Sequence, residues 1–443
     1  MVGFGTDKKG SIMTELAMYG GPRVRDIPYP THDTMIGREE EEAVIATLRR
    51  KELSGFSGRP GDRFLGGPNV RRLEDGFRTY FGTTHAVSFN SATSALHSAV
   101  AAVGVGPGDE VIVPPTSMSA SATCVVMANA VPVFADIEDE TFCLDPNEVE
   151  KKITPRTKAI IVVNLFGHPA RLEALKEISS EHELALIEDN AQSPGAAING
   201  KFAGTIGDIG VLSLNYHKAI QTGEGGVAVT NNDKYAQRMQ LIRNHGEVVL
   251  AKWTDDDLPD LENIVGWNYR MTEIEAAIGM SQIEKLDKLL EVRRDLANSL
   301  TAALQPYKFL IPPFVRQNCS HSYYFFTMRF LPEEAGYHRD VFVRAMQAEG
   351  VAISPGYEIP IYRYPMYQNQ IAYGDTGCPF RCPHYTGEPD YAAGLCPTAE
   401  RLYDLELVTT DICKFPNGAR EVKEFVEAVH KVADNQERLS KEA

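Results

Sequence analysis

Between Leu212 and Gly226 the chain reads LSLNYHKAIQTGEGG, an apolar run that ends in a lone lysine and then in glycines. A lysine at a partly dehydrated strand end has its amine pKa lowered, because burial disfavours the ammonium form. The neutral amine can attack an aldehyde, so Lys218 suits Schiff-base chemistry. Taken alone, it reads as a surface lysine on a turn, since lysines are seldom buried. Its company points further. Asp189, in IEDNAQ, closes another apolar run, and Ser213 stands five residues before the lysine. SATSAL, starting at Ser91, places small residues at the opening of a helix, whose free N–H groups and positive dipole end favour a phosphate. Gly223, Gly225 and Gly226 allow backbone to pass close to a bound ring. An amine for an aldehyde, a carboxylate for a ring nitrogen and a cup for a phosphate are what pyridoxal 5′-phosphate (PLP) requires.

Such groups need a scaffold. From about residue 84 to 230, runs such as HAVSF, EVIVPP, VPVFADI, AIIVVNLF, LALIED, VLSLN and GVAVTN alternate with helical stretches such as SATSALHSAVAAVG, DPNEVEKKI and RLEALKEISSEHE. Strands apolar throughout and separated by helices predict a mostly parallel sheet covered on both faces, an α/β domain. In such sheets ligands collect at the carboxyl ends of the strands, where Asp189, Lys218 and Ser91–Ser94 are expected. Thr272-Glu273-Ile274-Glu275 is a capping box opening a long helix toward a second lobe. That lobe takes in LIPPF, HSYYFFTMRF, the DVFVRAMQAEG helix and a closing helix near REVKEFVEAVHKVADN.

Bulk properties narrow the function. The 443 residues carry a formal net charge of -16, which repels nucleic acid and anionic membranes but leaves room for a small phosphorylated ligand. Arg59, Arg63, Arg243, Arg270 and Arg363 are candidate donors to such a ligand. No signal peptide or membrane-spanning run is visible, so the expected location is cytoplasmic. Seven scattered cysteines fit reduced thiols. Cys378, Cys382 and His384 in CPFRCPH invite a zinc reading, but structural zinc wants four ligands at paired spacing. A surface insertion is the expected reading, with no metal.

GGPNVRRLEDGFRTYFG, NSATSAL, VIVPPTSMSASAT, PVFADI, EDNAQ, GDIGVLSLNYHK, GEGG, RNHG, GWNYRMTEIEAAIG and CPTAERLY follow one another in this order from about Gly55 to Pro416. On these segments the chain resembles the DegT/DnrJ/EryC1/StrS family of PLP-dependent sugar aminotransferases. The resemblance implies fold type I, the aspartate aminotransferase-like fold. A large PLP-binding α/β domain would span 70–290, with 1–69 and 291–443 forming an N-terminal segment plus a smaller α+β domain. It also implies residue roles. Lys218 matches the lysine bonded to the cofactor at rest, which also shuttles the proton, and Asp189 the partner of the ring nitrogen. Gln192 matches the contact to the ring hydroxyl. Ala92, Thr93 and Ser213 match phosphate contacts, and Asn268 one made from the neighbouring subunit of a homodimer with shared active sites.

Two departures from the family pattern stand out. Met118 occupies the position of an aromatic ring stacked on the cofactor, a face that a thioether can also cover. Tyr324 and Tyr362 stand where the family often has histidines. With the segment between Gln368 and Tyr391, and Gly55 to Arg63, Tyr324 is expected to shape the acceptor pocket. The implied reaction moves an amino group from L-glutamate or L-glutamine to a keto-sugar or keto-cyclitol. The related keto-sugar dehydratases carry histidine at the lysine position. Here the neighbouring His217 is expected to pack or to support the site from behind, since counting five on from Ser213 or six back from Glu224 reaches Lys218. A non-catalytic regulator that kept the fold is the alternative of another class.

Overall fold

The computed structural model describes residues 15–30, 35–58, 61–246 and 264–442; Arg59 lies outside them. Its centre is a seven-stranded sheet. Five of its strands come first, β1 (His85–Phe89), β2 (Glu110–Val113), β3 (Val131–Phe134), β4 (Thr157–Val163) and β5 (Ala185–Asp189). A small hairpin, β6 (Ala197–Ile198) and β7 (Lys201–Phe202), leaves the sheet before β8 (Ile209–Ser213) and β9 (Gly226–Thr230) complete it. The order is β1-β9-β8-β5-β4-β2-β3. All neighbours are parallel except β9, which runs against both β1 and β8. Its first residue, Gly226, therefore lies between Phe89 and Ser213, at the carboxyl end of the other strands.

Eight helices lead up to and out of this sheet: α1 (Arg38–Arg50), α2 (Pro68–Phe81), α3 (Ala92–Ala102), α4 (Ala120–Met127), α5 (Pro146–Lys152), α6 (Leu172–Glu181), α7 (Asp233–Arg243) and α8 (Glu273–Leu304). Side chains alternate between the faces of each strand. Leu212, Leu214 and Val227 pack with Leu73 and Phe77 of α2 and Leu286 of α8, whereas Val211 and Ala228 join Ala95 and Ala99 of α3 in the larger core. Helix α4 is buried nearly all round, so ASATCVVM shows no amphipathic stripe and gives no helical period to read.

The capping box forms as expected. Thr272 Oγ1 accepts from Glu275 N at 3.3 Å, and the Glu275 carboxylate accepts from Thr272 N at 2.8 Å, a cap stabilising by about 1 kcal/mol. From that start α8 runs for 32 residues. Leu286 and Leu290 pack against the large domain, while Leu296, Leu300 and Leu304 belong to a second core with Phe326, Phe330, Phe342 and Phe425.

That core supports a four-stranded antiparallel sheet of β10 (Leu310–Ile311), β12 (Phe326–Phe330), β13 (Ser354–Pro355) and β14 (Leu407–Thr410), ordered β10-β12-β14-β13; β11 (Cys319–Ser320) pairs with β6 instead. Only Phe326–Phe330 of the aromatic run HSYYFFTMRF is strand. Tyr323 has φ 48°, which breaks the extended chain just before it. Residues 321–325 cross to the large domain, where Ser322 N donates to Gly167 O at 2.8 Å and Phe325 N to Phe166 O at 3.3 Å.

The segment from Gln368 to Tyr391 does not line the carboxyl ends of the strands, contrary to expectation. It covers the open edge at β3. Tyr367 and Tyr391 set their rings 5.5 and 5.7 Å from Phe134. The Tyr391 hydroxyl donates to Pro132 O at 2.9 Å, and that of Tyr385 to Glu110 Oε1 at 2.8 Å. Glu110 opens β2, at the far end of the sheet from Asp189. An edge strand with unpaired backbone groups needs such a cover. Tyr362 belongs to the same layer: fully buried against Phe134, it donates its hydroxyl to Glu400. Among the described residues no three His, Cys, Asp or Glu side chains converge to hold a metal ion, the CPFRCPH cluster included. All seven cysteines are unpaired thiols. No helix among the described residues is long and apolar enough to cross a membrane.

Candidate active site

Asp189 ends β5 and is 5% exposed. The Ser121 hydroxyl, from the first turn of α4, donates to its Oδ2 at 2.7 Å, and Ala191 N donates to Oδ1 at 3.2 Å. Ser117 backs Ser121, the two hydroxyl oxygens lying 2.9 Å apart. Burial pushes the Asp189 pKa above the usual carboxylate value, opposed by Ser121, Ala191 and the charge of Lys218. The preceding residue, Glu188, faces elsewhere and is consumed by structure: its carboxylate accepts from the N–H groups of Gly204, Ile206 and Gly207 at 2.6 to 2.8 Å.

Lys218 lies in the loop between β8 and β9. That loop is closed by Leu214 N to Gly225 O at 2.9 Å and Thr222 N to Leu214 O at 2.8 Å, with Lys218 N turned onto Asn215 O at 2.9 Å. Asn215 Nδ2 in turn reaches the Glu224 carboxylate at 2.9 Å. The half-buried amine meets Tyr324 of the 321–325 crossing. Lys218 Nζ lies 3.4 Å from the Tyr324 hydroxyl and 4.5 Å from the centre of its ring. Burial lowers the Lys218 pKa to about 8, with Asp189 pulling the other way. His217 is exposed, its ring edge-on to Tyr216 at 4.9 Å and tilted on that of Tyr324 at 6.2 Å, so it touches the residue that meets Lys218.

The third component is the start of α3. Ser91 caps it, its hydroxyl accepting from Ser94 N at 3.1 Å. Ala92 and Thr93 precede the first intrahelical bond, Ala95 N to Ser91 O, so their N–H groups are free for an anion. Gly226 packs under this turn: a Cβ there would fall 2.5 Å from Ala92 N and Ser91 C. The glycine allows backbone-on-backbone contact with the first turn of α3.

The sequence profile of the DegT/DnrJ/EryC1/StrS aminotransferase family matches residues 58–385. The chain belongs to this family. A GDP-perosamine synthase of Caulobacter vibrioides is 38% identical over 299 residues, covering 67% of this chain and 78% of that protein. An L-glutamine:2-deoxy-scyllo-inosose aminotransferase of Streptomyces kanamyceticus is 32% identical over 429 residues, 95% of this chain and 97% of that one. The structure of S. venezuelae DesV in complex with a ketimine intermediate superposes with a TM-score of 0.77 at 27% identity, covering 93% of this chain and 99% of that one. The chain has the PLP-dependent fold type I architecture and is an aminotransferase acting on a sugar or cyclitol. The non-catalytic alternative falls away.

The DegT/DnrJ/EryC1/StrS aminotransferases depend on PLP, and the residues here fit it. A buried carboxylate, an amine of lowered pKa and an open helix N-terminus occupy the same end of one sheet, joined through Gly226 and Ser213. Ser213, buried, ends β8 and accepts from Asn215 N at 3.3 Å. Gln192 is buried, its Oε1 accepting from Phe166 N at 2.8 Å and its Nε2 donating to the Tyr357 hydroxyl at 3.0 Å. Met118 is 53% exposed, three residues before Ser121. Asn268 is exposed, its Oδ1 accepting from Arg270 Nε at 2.9 Å. Sequence reasoning missed Ser121, Ser117 and Tyr357. The run of small hydroxyl residues in TSMSASAT was the one available signal for the serines; Tyr357 gave none.

Proposed function

We propose that this aminotransferase moves an amino group from L-glutamate or L-glutamine to the carbonyl carbon of a neutral, polyhydroxylated keto-cyclitol, with Lys218 bonded to PLP at rest. The pairing of a half-buried amine, drawn down to about pKa 8, with a buried carboxylate carries the reading. Bound PLP supplies an aldehyde that takes up the amino nitrogen and a ring that spreads the charge left on carbon when a proton departs. Asp189, oriented by Ser121 and Ala191, keeps the ring nitrogen protonated. Ala92, Thr93 and Ser213 would hold the phosphate, Gln192 would contact the ring oxygen and Met118 would cover a ring face. Lys218, once displaced, would take the α-proton of the donor on Nζ and deliver it to the former aldehyde carbon of the cofactor, so that water releases the donor as a keto acid and the nitrogen stays on the cofactor. In the second half the same amine would work in reverse, taking a proton from that cofactor carbon and giving one to the acceptor's carbonyl carbon, so that the ring ketone leaves as an amine and the aldehyde is restored. A second copy of the chain completes the phosphate site through its Asn268.

Transfer is favoured over dehydration because the amine of Lys218 feels Asp189 and meets Tyr324, while His217 is exposed. A neutral acceptor is favoured by the fate of the arginines. Arg243 is buried on Glu74, and Arg363 pairs with Asp404 and Glu400. Tyr324 meets Lys218 and Tyr357 meets Gln192, both phenols whose pKa values burial raises. They stay neutral and suit ring hydroxyls rather than a diphosphate. The match over nearly the whole chain to a cyclitol aminotransferase points the same way. The test is the second half-reaction. Protein charged with the pyridoxamine form is mixed with 2-deoxy-scyllo-inosose or with a nucleotide-linked keto-deoxysugar, and return of the aldehyde absorbance is followed. The cyclitol is expected to restore it; restoration by the nucleotide sugar alone overturns the acceptor assignment.

A further inference from the structure

Arg293 of α8 is buried, yet its hydrogen bonds go to main-chain carbonyls: Nη1 lies 2.7 Å from Tyr323 O and 3.5 Å from Tyr324 O. Taking this cation out of water is costly, and burial pulls its pKa down to about 10 against the attraction of groups that include Asp411. What this arrangement gains is a fixed backbone at Tyr323 and Tyr324. The neighbouring Arg294 holds His321 O at 3.0 Å from the same helix, and the 166–167 turn grips Ser322 and Phe325 from the other side. Tyr324 is thus clamped between the two domains, with its ring and hydroxyl toward Lys218 Nζ.

Resting on the reading that Lys218 carries the chemistry, we infer that Tyr324 is a positioning residue for the Lys218 amine. Its hydroxyl accepts an N–H of the displaced ammonium and its ring face holds the cation, so that Nζ stays aimed while it carries a proton between carbons. Asp189 faces the amine from the end of β5, His217 and Glu224 lie along its own loop, and Tyr357 stands behind Tyr324. Of these, Tyr324 combines a hydrogen-bond acceptor with an aromatic face at the nitrogen. Both contacts favour the ammonium form against the desolvation that opposes it.

The experiment compares wild type with Tyr324→Phe, which keeps the ring and removes the acceptor, and Tyr324→Ala, which removes both. In cofactor-free protein, reductive methylation of Lys218 is followed against pH by residue-resolved mass spectrometry. Tyr324→Phe is expected to lower the apparent pKa of that amine by about half a unit to one unit. In the cofactor-loaded protein kcat with the amino donor should fall roughly tenfold in Tyr324→Phe and about a hundredfold in Tyr324→Ala. The donor KM should stay unchanged, and the isotope effect with α-deuterated donor should rise. An unchanged labelling profile and isotope effect in Tyr324→Phe overturn the inference, whether or not Tyr324→Ala folds. Should the wild type show no visible absorbance that Lys218→Ala removes, the reading of Lys218 itself fails; if that band is present and Tyr324→Phe is silent, only the present inference does.

Discussion

At the scale of single residues, the chemistry rests on two opposed perturbations. Burial disfavours the charged form of both Lys218 and Asp189, and each charge partly restores the other. For the amine the sign is plain: only the neutral form attacks an aldehyde, and its fraction rises as pH passes through the pKa. With that pKa near 8 instead of 10.5, recombination of cofactor-free protein with PLP should quicken with pH and level off near 8. A stopped-flow rate still climbing at pH 10 would contradict the burial. Lys218→Ala should abolish turnover and the lysine-bound visible absorbance together. Ser121→Ala removes the one side-chain donor on Asp189 among the described residues, and a lost hydrogen bond to a charged group predicts a roughly tenfold to hundredfold fall in kcat with the fold intact. Lys218 and Asp189 were legible because each closes an apolar strand-like run. Ser121 and Tyr357 were not, since neither their spacing nor their neighbours in sequence record which strand end they meet.

At the scale of elements, one glycine joins two parts of the site. β9 runs against its neighbours, so its first residue meets the first turn of α3, and only a missing Cβ lets them touch. Gly226→Ala should destabilise the protein by about 1 to 3 kcal/mol and weaken cofactor binding more than donor binding. Thermal melts with and without PLP would separate these, and an unchanged melting temperature would contradict the close packing. The apolar runs announced all seven strands and the capping box announced α8. The reversed direction of β9 left no trace, because a strand buried on both faces reads alike in either sense. Helix α4 and the 321–325 crossing were illegible for related reasons: one is apolar all round, the other is an aromatic run broken by a single positive φ. The Gln368–Tyr391 segment misled because sequence gives its length and not the end of the sheet it covers.

At the scale of the whole molecule, the described surface leaves apolar groups in the open near the site. Val265 is 71% exposed and Trp267 45%, on the same segment as Asn268, with Ile45, Leu48 and Leu53 exposed on and just beyond α1. Large apolar side chains in the open are a common mark of association, and a twofold dimer would let each copy lend residues to the other's site. If Asn268 serves the phosphate of the opposite copy, two inactive variants should repair one another. In a mixed dimer of Lys218→Ala with Asn268→Ala, one site collects both defects while the other receives an intact lysine and an intact asparagine. Random pairing on co-expression makes about half the dimers mixed, each with one working site of two, so about a quarter of wild-type activity should return. If Asn268 instead acted within its own chain, every site in the mixed dimer would carry one defect. Activity at the level of the separate variants would then assign Asn268 to its own subunit's site.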